Sequence, residues 1–280
     1  MRLELFRTLW GYRATWQQAV DELLAAGFDG LEARVPETSA QRSANARLLR
    51  EQGVNYIATV FTSTPVLPRQ TDTPQMHLDD LVRKLDWAAQ LAPQKINILA
   101  GNDRWGLSEQ VDFFARAVEI AKASGQTCCF EIHRGRSLYS PWVTLDVLRQ
   151  VAELRLTSDI SHWVVTCERL LNDPADDLSA FIERVDHIQA RVGYDQGPQV
   201  PHPGAPEYAE ALQFHQQHWE KIWASQERRG FAVTSMTPEF GPDGYLHHLP
   251  YTDVPVADLW GLNKWMATCE RQHFHRFSSR

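Results

Sequence analysis

The chain has only four cysteines in 280 residues, and no two of them form a Cys-x-x-Cys pair. A zinc–thiolate centre or a dithiol redox motif is therefore not indicated. Cys128 and Cys129 are adjacent inside an apolar run, where buried thiols are expected; Cys167 and Cys269 stand alone. No apolar stretch is long enough to span a bilayer. The opening residues, MRLELFRTLWGYRATW, are mixed and charged, without the apolar core of a signal peptide. These absences lead to the expectation of a cytoplasmic protein with no membrane partner. Neither GxGxxG nor GxxxxGKS occurs, so nucleotide cofactors are not indicated. Positive charge is also short: 28 Lys and Arg stand against 35 Asp and Glu, a formal net charge of -7. A nucleic-acid partner normally needs a basic face and is not expected.

What the chain does contain is a regular alternation of strand and helix. Hydrophobic residues make up 43% of it, enough to bury a sizeable core. Short apolar, β-branched runs predict strands at Arg2–Phe6, Gly30–Val35, Tyr56–Phe61, Lys95–Leu99, Thr127–Ile132, Leu156–Ile160, Val185–Val192 and Ala232–Glu239. Helical spacing fills the intervals at Thr15–Ala26, Ser39–Gln52, Met76–Gln90, Leu107–Ser124, Pro141–Glu153, Cys167–Arg184 and Pro206–Arg229. Gly27 and Gly53 follow the first two as C-caps. The α/β alternation implies a parallel sheet, and eight units over residues 1–280 fit one closed (β/α)8 barrel. A doubly wound open sheet is the rival, but it would carry a Gly-rich loop after the first strand, where FRTLWGYRAT stands. Two Pro- and Gly-rich connections, 193–206 and 241–255, follow the last two strands and are expected to cover an active site. The tail Trp260–Arg280 is expected either to pack on the barrel or to form a contact in a homo-oligomer.

Chemistry-bearing residues sit in or at the ends of four late strands: Glu131, Asp159, His187 and Glu239. The C-terminal strand ends of such barrels carry the catalytic groups. Buried together, three carboxylates and an imidazole would repel or stay protonated unless a cation joined them. The set is therefore expected to hold one divalent metal ion. Its oxygen-rich character suits Mn²⁺ or Mg²⁺, with Co²⁺, Fe²⁺ or Zn²⁺ as alternatives. Strand alternation puts His133 on the same side as Glu131, and Gln189 and Arg191 on the same side as His187. Lys95 begins its strand and so lies at the opposite end from any site. HRGR (His133–Arg136) offers cations to an anion or to a surface ion pair. Trp10, Trp105 and Trp163 fall near strand ends, where they can stack on a sugar or pack in the core.

The order Glu, Asp, His, Glu, together with FEIHRGR (Phe130–Arg136), HIQARVG (His187–Gly193), GPQVP (Gly197–Pro201) and TPEFGP (Thr237–Pro242), resembles the xylose isomerase-like TIM barrel superfamily. The likeness covers nearly the whole chain and is nearest to a branch of sugar phosphate isomerases and epimerases. It implies Glu131, Asp159, His187 and Glu239 as metal ligands. It further implies proton transfer by Glu131 and Glu239, and substrate contacts from His162, in the pattern Asp159-x-x-His162, and from Arg191. His133 is expected beside the substrate, without a family role. The implied activity is isomerisation or epimerisation of a small carbohydrate through an enediolate held by the cation. The same residues would also serve a lyase acting by β-elimination on an oxidised sugar or glycoside. Apurinic endonucleases share the fold but need further histidines on early strands, and none stands near Val35 or Thr62. A barrel that binds carbohydrate without catalysis is a third alternative.

Overall fold

The structure is a computed structural model described for residues 1–63 and 66–280. Its strands are β1 (Arg2–Thr8), β2 (Gly30–Arg34), β3 (Asn55–Phe61), β4 (Lys95–Leu99), β5 (Cys128–Glu131), β6 (Leu156–Ser158), β7 (Val185–Gln189) and β8 (Val233–Thr237). They pair in sequence order, all parallel, and β8 closes on β1 through pairs such as Leu3 with Thr234 and Leu5 with Met236. The helices are α1 (Trp16–Ala25), α2 (Ser39–Gln52), α3 (Pro74–Ala89), α4 (Leu107–Ala123), α5 (Pro141–Gln150), α6 (Ile160–Cys167), α7 (Ser179–Ile182), α8 (Ala209–Arg228) and α9 (Leu259–Ser278). No helix among the described residues is long and apolar enough to cross a membrane.

Local chemistry accounts for the helix ends. Thr15 and Gln18 form a capping box at the start of α1, and Thr38 and Thr73 cap α2 and α3 with their hydroxyls. Gly53 ends α2 at φ 62°, a left-handed conformation that carries no Cβ penalty for glycine. One expected element is displaced. Of the helix predicted over Cys167–Arg184 only the short α7 forms, while α6 begins directly after Asp159 and ends at Cys167, where that helix was expected to start. The run ISHWVV, which begins at the last residue of the expected strand, packs Trp163 and Val164 in the core as a helix. Strands β6, β7 and β8 stop short of the expected Ile160, Val192 and Glu239, so Asp159, Arg191 and Glu239 stand on the segments that follow them.

The apolar core lies between sheet and helices. Leu31, Ala58, Ile96, Phe130, Ile188 and Met236 face outward from the strands and pack beneath residues such as Leu23, Leu81, Phe114 and Trp219. The inside of the barrel is instead polar. Glu32, Asn97, Thr157, His187, Ser235 and Thr237 are all buried there. A barrel filled with branched apolar side chains is the usual arrangement. Here hydrogen-bonding groups run from the floor to the mouth beside a few apolar inner residues such as Phe6, Ile57 and Leu99. The tail helix α9 packs on the barrel: Trp260 meets Phe28, and Phe274 and Phe277 meet Trp223.

Candidate active site

Two polar layers lie along the barrel axis. The lower one centres on Glu32, which sequence reasoning passed over. Its carboxylate accepts from Gln189 Nε2 at 2.8 Å, Asn97 Nδ2 at 3.1 Å and Thr237 Oγ1 at 2.6 Å, and meets His187 Nε2 at 3.2 Å. Burial alone would raise its pKa, but His187 and these donors outweigh that and leave it below the ordinary carboxylate value. The other ring nitrogen of His187 lies 2.8 Å from Ser235 Oγ, which in turn accepts from Lys95 Nζ at 2.7 Å. Both nitrogens of His187 are thus engaged. Lys95 sits at the floor, as its place at the start of β4 implied, and also donates to the Asp186 carbonyl.

The upper layer is the mouth. Asn97 links the two layers, because its Nδ2 also donates to Glu131 Oε2 at 2.6 Å. Strand alternation carries His133 to the same side, and the first turn of α6 brings His162 against it, with ring centres 4.0 Å apart. Glu131, His133 and His162 are buried, and one potential ligand atom from each lies within 4.8 Å of the others. Nδ1 of His133 and Nδ1 of His162 have no hydrogen-bond partner. Buried polar atoms are rarely left so. Among the described residues this trio is the set of His, Cys, Asp and Glu side chains close enough to share a cation. Burial, then Glu239 and Asp159, push the Glu131 carboxyl well above its ordinary value. Burial, then His162 and Arg191, hold His133 well below, and burial brings His162 to about 4, so both imidazoles are neutral and fit for a metal.

Asp159 and Glu239 flank a single guanidinium. Arg191 pairs directly with Asp159, reaches His162 Nε2 at 2.9 Å, and lies 3.7 Å from Glu239. Asp159 accepts Ser161 Oγ at 2.5 Å as well. Burial would raise Asp159, but Arg191 and His162 overcome it and hold the carboxylate far below its usual range. Glu239 keeps 18% of its side chain exposed and is the carboxylate open to the mouth. Burial, countered by Arg191 and reinforced by Asp159 and Glu32, still brings it to about 8. Of the residues expected at the site, the structure brings together Glu131, His133, Asp159, His162, Arg191 and Glu239. His187 lies one layer below them, bound to Glu32.

Both long loops lie at this mouth. Gln199 of the first exchanges two hydrogen bonds with the backbone of Gly241 in the second, at 2.8 and 3.3 Å. Tyr245 of the second loop sets its ring 4.6 Å from the Arg191 guanidinium, with Trp10 packed edge-on at 4.9 Å. Trp10 is therefore the expected tryptophan found at the site. Trp163 is fully buried in the core, and Trp105 packs on His77 and Phe113.

Residues 20–202 match the family described as xylose isomerase-like TIM barrel. The chain belongs to that family. No curated protein sequence matches it. Among solved structures, an L-ribulose 3-epimerase superposes over 100% of this chain and 96% of its own, with TM-score 0.67 and 13% identity. The D-allulose 3-epimerase from Methylomonas sp., in complex with D-allulose, gives TM-score 0.64 at 14% identity, covering 97% of both chains. Endonuclease IV from Thermus thermophilus gives 0.62 at 13% identity, over 99% of this chain and 100% of that one. At such identities the likeness is one of fold. Sugar epimerases and an endonuclease share this frame, so the chemistry of the mouth has to separate them.

Proposed function

We propose that this protein is a divalent-metal-dependent isomerase or epimerase of a sugar or sugar-derived keto compound, working by proton transfer. The observation that carries the reading is the buried trio Glu131, His133 and His162, with an unpartnered nitrogen on each imidazole. These residues would hold the ion. The surrounding carboxylates suit Mn²⁺ or Mg²⁺, and the imidazoles admit Co²⁺, Fe²⁺ or Zn²⁺. Asp159 and Glu239 lie in the same mouth and complete the carboxylate set expected from sequence. A divalent cation bound here would polarise a substrate carbonyl and acidify the adjacent C–H.

The remaining work falls to the protein's own side chains. Glu131, fixed by Asn97 through one oxygen and ionised once a cation offsets the field of Glu239 and Asp159, takes the proton from carbon with the other. Glu239, with a pKa near neutrality, returns a proton from the open side. Arg191 remains cationic between them and meets negative charge as it develops on substrate oxygen. Tyr245 and Trp10 exclude water above it. Delivery to the opposite face gives an epimer, and delivery to the neighbouring carbon gives the aldose–ketose isomer. The shared frame of the L-ribulose and D-allulose 3-epimerases supports this reading. The test is exchange from D2O into a panel of keto-sugars by metal-loaded protein, read by mass spectrometry. Deuterium at a carbon next to the carbonyl, lost in Glu239→Gln, is the expected outcome. No exchange into any member of the panel would sink the proton-transfer mechanism.

A further inference from the structure

The side chains at the mouth are shut in. Glu131, His133, Asp159, His162 and Arg191 are all buried, and Glu239 alone of the set keeps part of its side chain exposed. A sugar cannot reach the trio while the groups above it stay where they are. Two rings form that cover, with Arg191 beneath both. Its guanidinium carbon lies 4.6 Å from the Tyr245 ring centre and 5.6 Å from that of Trp10. Tyr245 also lies 5.0 Å from the Arg134 guanidinium and meets the His162 ring at a right angle, with centres 6.4 Å apart.

The two rings are held in different ways. Trp10 is fixed: its indole N–H donates to Asp243 Oδ2 at 2.8 Å, and its ring rests against Gly241, where a Cβ would collide with it. The Tyr245 hydroxyl makes no hydrogen bond among the described residues. Its ring is held by attraction to two guanidiniums and by edge contact with Trp10, with no directed bond to break. The backbone beneath it is tied down. The Tyr245 N–H donates to the Pro242 carbonyl at 3.1 Å, closing a tight turn whose central residues, Asp243 and Gly244, are both left-handed at φ 57° and 84°. Leu246, the next residue, is buried. A turn fixed on both sides leaves the side chain, rather than the loop, as the part that can move.

We propose that Tyr245 is the gate of this site: its ring swings off Arg191 and Arg134 to admit a ligand and returns to close the mouth behind it. The proposal rests on the mouth being the binding site, whatever reaction occurs there. The outward stroke uncovers the Arg191 guanidinium for substrate oxygen, and the return stroke shuts water out. Because the ring rests on guanidiniums rather than on the groups that would hold a cation, it closes alike over free and loaded protein. A gate of this kind sets the rates of entry and exit together and leaves affinity unchanged.

Stopped-flow mixing with Mn²⁺, followed by tryptophan fluorescence, gives the entry rate, and a chase with EDTA gives the exit rate. In Tyr245→Ala both rates should rise by about tenfold, the scale of two lost ring–guanidinium contacts, with Kd kept within about twofold. Tyr245→Phe should match the wild type, because the hydroxyl is unbonded. Tyr245→Leu keeps apolar bulk without the aromatic face; it should follow Tyr245→Ala, and it serves where the smaller side chain weakens the fold. Unchanged rates in Tyr245→Ala and Tyr245→Leu, a Kd change carried by the exit rate alone, or Tyr245→Phe behaving as Tyr245→Ala would overturn the gate. Diethyl pyrocarbonate reads the gate in EDTA-treated protein, without any metal. It acylates neutral imidazoles, here at the unpartnered Nδ1 of His133 and His162, with exposed His248 as the reference. Faster acylation of His133 and His162 relative to His248 in Tyr245→Ala and Tyr245→Leu sustains the gate even where no cation binds. Equal ratios in the wild type and every variant refute it and leave the metal reading in place.

Discussion

At the scale of single residues, metal binding turns on which imidazoles are free. His133 and His162 each keep a bare nitrogen beside Glu131, whereas both nitrogens of His187 are held by Glu32 and Ser235. His133→Ala is therefore expected to weaken Mn²⁺ affinity by at least about tenfold to a hundredfold, the range that loss of an outer partner of a metal ligand alone produces. His187→Ala should act mainly on stability, because it leaves buried Glu32 short of a partner. Titration of both variants with Mn²⁺ and a thermal melt of each distinguishes the two roles; a larger affinity loss in His187→Ala would restore it to the ligand set. Much of this was legible in sequence. Glu131 marked its strand end, and alternation from it and from His187 placed His133, Gln189 and Arg191 on the inner side. Glu32 was missed because GLEAR looks like an ordinary strand, yet a charged residue alternating with Leu31 and Ala33 was the available signal. The trio itself depends on α6 starting immediately after Asp159, which no local motif announces.

At the scale of elements, the segment that presents Glu239 is clamped from two sides. Asn263 of α9 exchanges hydrogen bonds with the backbone of Phe240, both at 2.9 Å, and Gln199 does the same for Gly241. Gly241 allows this approach, since a Cβ there would run into the Trp10 ring. Asn263→Ala leaves two buried backbone groups unpaired and should lower stability by about 2 kcal/mol, a Tm drop of about 5 °C. Differential scanning calorimetry reads it, and an unchanged Tm would mean that the clamp contributes nothing. Gly241→Ala should displace Trp10 and loosen Tyr245 above Arg191, seen as a change in tryptophan fluorescence. The strands and most helices were readable from periodicity and caps because each is a local pattern. The clamp was not, because Gln199, Phe240, Gly241 and Asn263 come from three separate stretches of the chain.

For the molecule as a whole, buried neutral histidines set the response to acid. His215 accepts the Gly193 N–H at Nε2, at 3.2 Å, and its Nδ1 meets the Ala211 carbonyl, so protonation would set two donors against each other. Burial holds His215 at about 4 and His218 at about 3, against 6.5 in an ordinary imidazole. A folded-state value below the unfolded one means stability fully present above pH 6.5 and lost as pH falls toward 4. Each histidine contributes a slope of up to about 1.4 kcal/mol per pH unit in that window. Denaturant unfolding between about pH 7 and pH 5 should show it, flattened in His215→Asn and His218→Asn, and identical slopes in wild type and variants would contradict it. The polar barrel interior, from Lys95 through Glu32 to Glu131, makes sense for a molecule whose core is built to position charge at one mouth. The most direct test of that claim is metal analysis of the purified protein beside Glu131→Gln and His133→Ala. About one equivalent of a divalent ion in the wild type, lost in both variants, is the predicted result. Wild-type protein that holds no metal after reconstitution with Mn²⁺, Mg²⁺, Co²⁺ and Zn²⁺ would contradict the account at its centre.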